Sequence, residues 1–275
     1  ADAPIALAEV QAYVYAARRG LARLARRAGN AVDAAKWEAK AGLLRERFHR
    51  DFWMADDDVF ALALDRDRRP CRVVASNAGH CLFGGIAEPE VGARLIERLM
   101  RDDLFCGWGL RTLSSRERRY NPMSYHNGSV WPHDNALIAA GFARFGATNR
   151  AAELLTALFD ASLAIEGRRL PELFCGFPRQ GQHAPVPYPV ACKPQAWAAG
   201  SVFLMLQAAL GLEIDAFERR ITFQRSTLPR WLERLEIRGL RVRDAAVDLV
   251  LLRGELGAAV EVLRKEGEVE VLVRK

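Results

Sequence analysis

The chain has 275 residues, of which 50% are hydrophobic and 27% charged, so it can build a sizeable core and is not a disordered segment. Its formal charge of +6 comes almost wholly from Arg spread along helical faces, without a dense basic block, which argues against nucleic-acid binding. The longest apolar stretch, residues 196–210, is interrupted by Gly200, Ser201 and Gln207 and is too short to span a bilayer, so no membrane partner is expected.

In chain order, Val10, Val14, Ala17, Leu21 and Leu24 repeat at four and three, with Arg18, Arg19, Arg23, Arg26 and Arg27 on other faces. That pattern predicts an amphipathic helix over residues 5–27. Gly29 and Asn30 break it. Ala34, Trp37, Ala41, Leu44 and Phe48 then continue the same period to about residue 51, predicting an antiparallel helix pair. The apolar runs 59–64 and 72–74 flank a polar turn and predict a short hairpin. A short helix follows over 77–85, and another runs from Pro89, a residue tolerated in a first turn, to about 101. Residues 102–128 form a long loop, a length usual for functional loops. Helices are predicted from Ser129 and Pro132 to about Phe145, from Asn149 to about Ile165, and from Pro194 to Gly211, where Gly ends the helix.

The period changes near residues 212–219. Short β-like runs follow at 221–223, 235–237, 247–252 and 260–263, and Val269, Val271 and Val273 alternate with other side chains. The chain therefore divides into a helical part, residues 1–211, and a β-rich tail, residues 212–275. The five Cys, at 71, 81, 106, 175 and 192, form no CxxC pair and are odd in number, as expected of reduced thiols in a cytoplasmic protein. The opening Ala-Asp-Ala-Pro has neither an initiator Met nor a signal peptide, and reads as a cut through a longer protein.

Two loops carry most of the chemistry. Residues 120–135 read Tyr-Asn-Pro-Met-Ser-Tyr-His-Asn-Gly-Ser-Val-Trp-Pro-His-Asp-Asn, packing aromatic and hydrogen-bonding groups around Gly128. Such a loop suits a polar ring with apolar faces, as in a sugar, and loops on a rigid scaffold are where binding groups concentrate. Residues 168–178 read Arg-Arg-Leu-Pro-Glu-Leu-Phe-Cys-Gly-Phe-Pro, followed by Lys-Pro-Gln-Ala-Trp at 193–197.

Together with Asn-Ala-Gly-His-Cys-Leu at 77–82 and Gly-Trp-Gly-Leu-Arg-Thr-Leu-Ser at 107–114, these motifs give residues 3–211 a resemblance to the C-terminal part of bacterial amylo-α-1,6-glucosidases. Those debranching-type enzymes are inverting glycosidases with the (α/α)6 toroid shared by glucoamylase and trehalase. The resemblance implies a mainly α chain holding helices six to twelve of such a toroid, with the β-rich tail behind it. It implies hydrolysis of α-1,6 branch linkages in glycogen or a related α-glucan or oligosaccharide, with no cofactor. Because long loops alternate with short helix connections, the two loops 102–128 and 166–193 are also expected to open at one end of the helical array.

Glycoside hydrolysis needs two carboxyl groups. Glu172, in a loop among Phe174, Phe177 and Tyr188, matches the family's general base, between the eleventh and twelfth helices. The family's general acid is an Asp in a Gly-Trp-Lys-Asp-Ser-like segment between the fifth and sixth helices, which this sequence lacks. The acid, and with it the upstream half of the same enzyme, is then a partner outside residues 1–275. Asp134 is the one in-chain stand-in, although a carboxylate in a helix's first turn also stabilises the helix dipole without catalysis.

Candidate sugar contacts are Trp108 and Arg111, then Tyr125, His126, Asn127, Trp131 and His133, and finally Glu9, Gln11, Tyr13 and His80. Gln195 and Trp197 read as packing in the last helix. A metal site is not expected, because His126 and His133 are seven residues apart with no Cys pair to join them. Two rival readings are another glycosidase of the same toroid, trehalase- or mannosylglycerate-hydrolase-like, and a non-catalytic carbohydrate-binding protein.

Overall fold

The computed structural model describes residues 2–181, 183–255 and 257–275. Its helices are α1 (Ala8–Arg27), α2 (Ala31–Phe52), α3 (Gly79–Phe83), α4 (Pro89–Leu99), α5 (Pro132–Arg144), α6 (Thr148–Leu163) and α7 (Ala196–Ala209). Local chemistry sets several starts. Asn30 caps α2 by accepting the Asp33 N–H at 3.0 Å. Pro89 and Pro132 open α4 and α5, where a missing N–H costs nothing.

Short strands β1 (Ala6–Leu7), β2 (Trp53–Met54), β3 (Val59–Phe60), β4 (Ala63–Leu64) and β5 (Pro70–Cys71) thread between the first helices. β2 pairs with β3, and β4 pairs with both β1 and β5. The hairpin expected between 59–64 and 72–74 thus forms between 63–64 and 70–71, its second strand about two residues earlier. The Asp65 side chain accepts the N–H groups of Asp67 and Arg69, closing a turn so tight that Leu64 lies opposite Pro70.

α1 packs on α2 and α3, α3 on α5, and α5 on both α6 and α7. The row α1–α3–α5–α7 forms one layer; α2, α4 and α6 form the second. Among the described residues the row stays open, with α1 at one end and α7 at the other. Both ends leave apolar faces bare. α1 buries Ala8, Ala12, Tyr15 and Ala22, so the stripe expected to be its core face points outward, with Val10 44% and Leu24 57% exposed. α7 is apolar all round, a composition suited to burial on every side. It buries only Ala198, Ser201, Met205, Ala208 and Ala209, while Trp197, Val202 and Phe203 face outward.

The tail holds β6 (Leu212–Asp215), β7 (Arg220–Gln224), β8 (Arg234–Val242), β9 (Ala245–Gly254), β10 (Gly257–Glu266) and β11 (Glu270–Arg274). β8, β9 and β10 form an antiparallel meander; β7 sits between antiparallel β6 and parallel β11. The two sheets share a core of Ile221, Phe223, Val247, Leu249 and Leu251. Trp231 ties this unit to the helices by stacking on Phe159 of α6 at 4.0 Å.

The loops before α5 and before α7 meet at one end of the row. Backbone bridges join Arg111 to Val130, Val130 to Phe174 and Phe174 to Pro187. Arg111 locks the junction. Its buried guanidinium donates to the carbonyls of Gly176 at 2.7 Å, Asp102 at 2.9 Å and Asp103 at 3.2 Å. Asn135 of α5 adds a second clamp, accepting the Leu110 N–H and donating to the Leu110 carbonyl.

The strands touch so closely that a Cβ added at Gly176 would lie 1.7 Å from the Gly128 carbonyl oxygen. Gly176→Ala must push two backbones apart, which no side-chain rotation can relieve. Its expected cost is about 3 kcal/mol, the upper end for overpacking, read as a lowered midpoint in urea unfolding. An unchanged midpoint would show that the loops do not meet here.

Candidate active site

Glu172 sits where the two loops converge, and its side chain is held on both oxygens. Oε1 accepts from the Tyr125 hydroxyl at 2.8 Å and from Gln195 Nε2 at 3.4 Å. Oε2 accepts from the Cys192 backbone N–H at 3.2 Å. The Glu172 N–H in turn donates to the Cys192 carbonyl at 3.1 Å, fixing the residue against its own loop. The Tyr125 hydrogen bond and then the Cys192 N–H hold the carboxyl below its ordinary range, outweighing its burial. It is therefore a carboxylate at neutral pH, the state a general base requires.

Aromatic rings build one wall beside it. Tyr125 meets Trp131 edge-on at 4.8 Å and Tyr188 at 5.6 Å. His133 lies flat on Trp197 at 4.0 Å, and Trp131 meets that indole at 6.1 Å. Trp131 is fixed in turn, since its indole N–H donates to the Tyr125 carbonyl and the Ser129 hydroxyl. His126 lies near-parallel to Trp131 at 6.3 Å on the exposed side, and Asn127 beside it is exposed. Flat rings with hydrogen-bonding edges suit the apolar faces and hydroxyl rim of a pyranose.

A second polar group lies across the row. Asp134 Oδ1 is 2.6 Å from His80 Nε2, and His80 Nδ1 is 2.5 Å from the Tyr13 hydroxyl. Burial pushes the Asp134 carboxyl up, but the His80 hydrogen bond and charge outweigh it and hold the carboxyl below its ordinary range. Burial pulls His133 down, leaving it neutral at pH 7. His133 precedes Asp134 in the first turn of α5 and stacks on Trp197 of the wall.

The other expected contacts are engaged by partners within the chain. Arg111 binds backbone carbonyls with its guanidinium and is 3% exposed, so it braces the loop junction. Trp108 is buried under the Arg179 guanidinium, 4.4 Å above its ring. Gln11 donates back to the Leu7 carbonyl of its own helix start, and Glu9 accepts from the Asn77 amide. Conversely, Gln195 and Trp197, expected to be packing, reach Glu172 and His133, and Tyr188 joins the wall. Their signal in the sequence was the 193–197 motif for Gln195 and Trp197, and the Glu172 loop for Tyr188. Among the described residues no cluster of three or more His, Cys, Asp or Glu is arranged to hold a metal.

The family described as the mannosylglycerate hydrolase MGH1-like glycoside hydrolase domain matches residues 3–175. No curated protein matches the chain. Among solved structures, one named "Sialidase" superposes with a TM-score of 0.68 at 14% identity, covering 97% of this chain and 26% of its own. A GH63 mannosylglycerate hydrolase from Thermus thermophilus, solved in complex with glucose, gives 0.56 at 20% identity over 73% of this chain and 47% of its own. A neutral trehalase from Saccharomyces cerevisiae gives 0.56 at 15% identity over 74% of this chain and 38% of its own. At these identities the likeness shows the fold: seven helices and a β-rich region compatible with part of an (α/α)6 toroid. The chain spans about a quarter of the first structure's length and under half of the other two.

Tyr125→Phe removes the leading cause of the Glu172 shift, so the carboxyl should titrate at higher pH than in the parent. A carboxyl with a depressed folded pKa adds stability above its ordinary range, lost as pH falls through the folded value. The variant should therefore lose this contribution sooner on acidification. Carboxyl 13C NMR titration of Glu172 measures the shift directly, and an unmoved titration would show that Tyr125 does not hold the carboxylate.

Proposed function

The chain belongs to the mannosylglycerate hydrolase MGH1-like glycoside hydrolase domain family, and from that premise we propose that it forms the base-carrying part of an inverting α-glycosidase. The observation that carries this reading is the Glu172 carboxylate, kept ionised by Tyr125, Cys192 N–H and Gln195 at the foot of an aromatic wall. Tyr125, Trp131, His133, Trp197 and Tyr188 form the sugar subsite, with His126 and Asn127 at its exposed rim. Glu172 takes a proton from a water as the water oxygen attacks the anomeric carbon from the face opposite the leaving group. The C–O bond breaks as an acid protonates the departing oxygen, and the anomeric configuration inverts.

Asp134 is a poor choice for that acid, because it is buried, ionised and bonded to His80. The acid then comes from a segment outside residues 1–275, the upstream half of the same enzyme. The bare apolar faces of α1 and α7, at the two ends of the open row, support such a partner, since unpartnered apolar surface marks missing contacts. All five Cys are free thiols, which supports a cytoplasmic protein.

The loop motifs support α-1,6-linked branch points of glycogen or a related α-glucan as substrate. The family match and the likeness to a mannosylglycerate hydrolase and a trehalase support a second reading, a small α-glycoside. Sugar release from a branched α-glucan, trehalose and mannosylglycerate separates the two, with NMR of the anomer first formed testing inversion. Glu172→Gln in the active enzyme should lower turnover by about 10²–10⁴-fold and leave sugar binding nearly unchanged, because Gln keeps the shape and can still hydrogen-bond a water. Full turnover in the variant, or retained configuration in the parent, contradicts the assignment.

A further inference from the structure

A cavity at the other end of the row has no part in the hydrolytic reading. It measures about 830 Å3 and lies between the C-terminal ends of α1, α5 and α7 and the tail strands β6, β7 and β11. The Glu172 loops lead into the opposite ends of α5 and α7. From His133 to Arg144, α5 rises about 16 Å, so the cavity is separate from the aromatic wall.

Its lining is unbalanced in charge. Arg23 and Arg27 of α1, Arg144 of α5, Arg220 of β7 and Arg274 of β11 stand against Glu213 and Asp215 of β6. Two of these cations build the wall itself. Arg27 pairs with Asp215 at 3.2 Å and Glu218 at 3.5 Å and lies over the Phe217 ring at 4.0 Å, tying the turn between β6 and β7 to α1. Arg220 pairs with Glu270 at 2.7 Å. Arg23, Arg144 and Arg274 are exposed and have no carboxylate partner among the described residues.

Helix ends explain only part of this excess. Arg27 and Arg144 lie in last turns, where a cation complements the free carbonyls. Arg23 sits one turn before Arg27, and Arg274 is on a strand, so neither answers a helix end. The three helix ends carry about half a negative charge each, too little to cancel five guanidiniums against two carboxylates. Like charges drawn from separate elements into one concavity repel, and a bound anion relieves that repulsion. The floor beneath them is apolar, formed by Phe83, Ala140, Ala143 and Leu204. A concave, largely apolar surface with a few placed charges is the make-up of a small-molecule site.

We propose that this cavity binds a small phosphorylated organic molecule, its phosphoryl group paired with Arg23, Arg144 and Arg274 and its carbon skeleton on the apolar floor. A guanidinium presents a planar fork of donors that matches phosphate oxygens. A phosphoryl group offers three strong acceptor oxygens and close to two negative charges; a carboxylate offers two oxygens and one charge. The site does not depend on the glycosidase reading.

Arginine side-chain 15N NMR on the full chain, titrated with inorganic phosphate at constant ionic strength, tests the site. The Nε–H signals of Arg23, Arg144 and Arg274, assigned by single Arg→Gln variants, should shift saturably, and that of Arg241, on β8 outside the cavity, should not. Absent shifts, or equal shifts at all four, overturn the proposal. Arg144→Gln and Arg274→Gln should each weaken phosphate binding about 10-fold, the lower end for a hydrogen bond to a charged group, while Arg241→Gln leaves it unchanged. All three side chains are exposed, so melting should not move. Equal weakening by all three variants marks nonspecific charge and overturns the site. Acetate should bind about 10-fold more weakly than phosphate, one charged hydrogen bond fewer, and equal affinity overturns the phosphoryl class. Phenyl phosphate should bind more tightly than inorganic phosphate, because its ring covers the apolar floor; equal binding overturns the organic part of the ligand.

Discussion

The close approach of two loop backbones at Gly128 and Gly176 sets the rest of the site. Gly176 admits the Gly128 carbonyl only because it lacks a Cβ, and Arg111 fills the space behind them with donors to three carbonyls. Once the loops are pinned, Val130 pairs with Phe174, and a few residues before each of them the Tyr125 hydroxyl finds the Glu172 carboxylate. The ionisation of Glu172 thus depends on a contact between two backbones. A buried arginine bonded only to carbonyls is costly in isolation and becomes favourable by satisfying acceptors that irregular loops leave unpaired.

The opposite strategy appears at the helices. Each of α1, α3 and α5 contributes one member of the Tyr13–His80–Asp134 line, so this polar group depends on the packing of regular elements and not on loops. The two groups meet at the first turn of α5, where His133 faces the loop-built wall and Asp134 faces the helix-built line. That division leaves one polar group set by loop chemistry and another set by the rigid row. Function placed on variable loops above a fixed scaffold is a general arrangement.

Several of these features were legible in the sequence. The period of Ala34, Trp37, Ala41, Leu44 and Phe48 locates α2, with Ala34, Ala41 and Phe48 on its buried face, and Pro132 marks the start of α5. Tyr125, His126, Trp131 and His133 stand out because large aromatics in a connector are unusual, and the structure brings them together. Arg111 misled for a physical reason. A charged residue beside a Trp in a Gly-rich loop reads as a ligand contact, and nothing in the sequence shows that Asp102, Asp103 and Gly176 will present carbonyls to it. Gln195 and Trp197 misled in the opposite sense, since a residue at a helix start looks structural until a distant loop folds over it. The stripe on α1 was visible as apolar but not as bare, because periodicity shows which face seeks a partner and not whether the partner is present.

The proposed function requires a sugar to bind between Glu172 and the aromatic wall with its anomeric carbon facing the carboxylate across a water. A crystal structure of the protein with a bound glucose-configured iminosugar tests this most directly. The ring nitrogen is expected near Glu172 with one water between them, and the ring face against Trp131, His133 and Trp197. An iminosugar bound away from Glu172, or seated with Glu172 touching only its own loop, would contradict it.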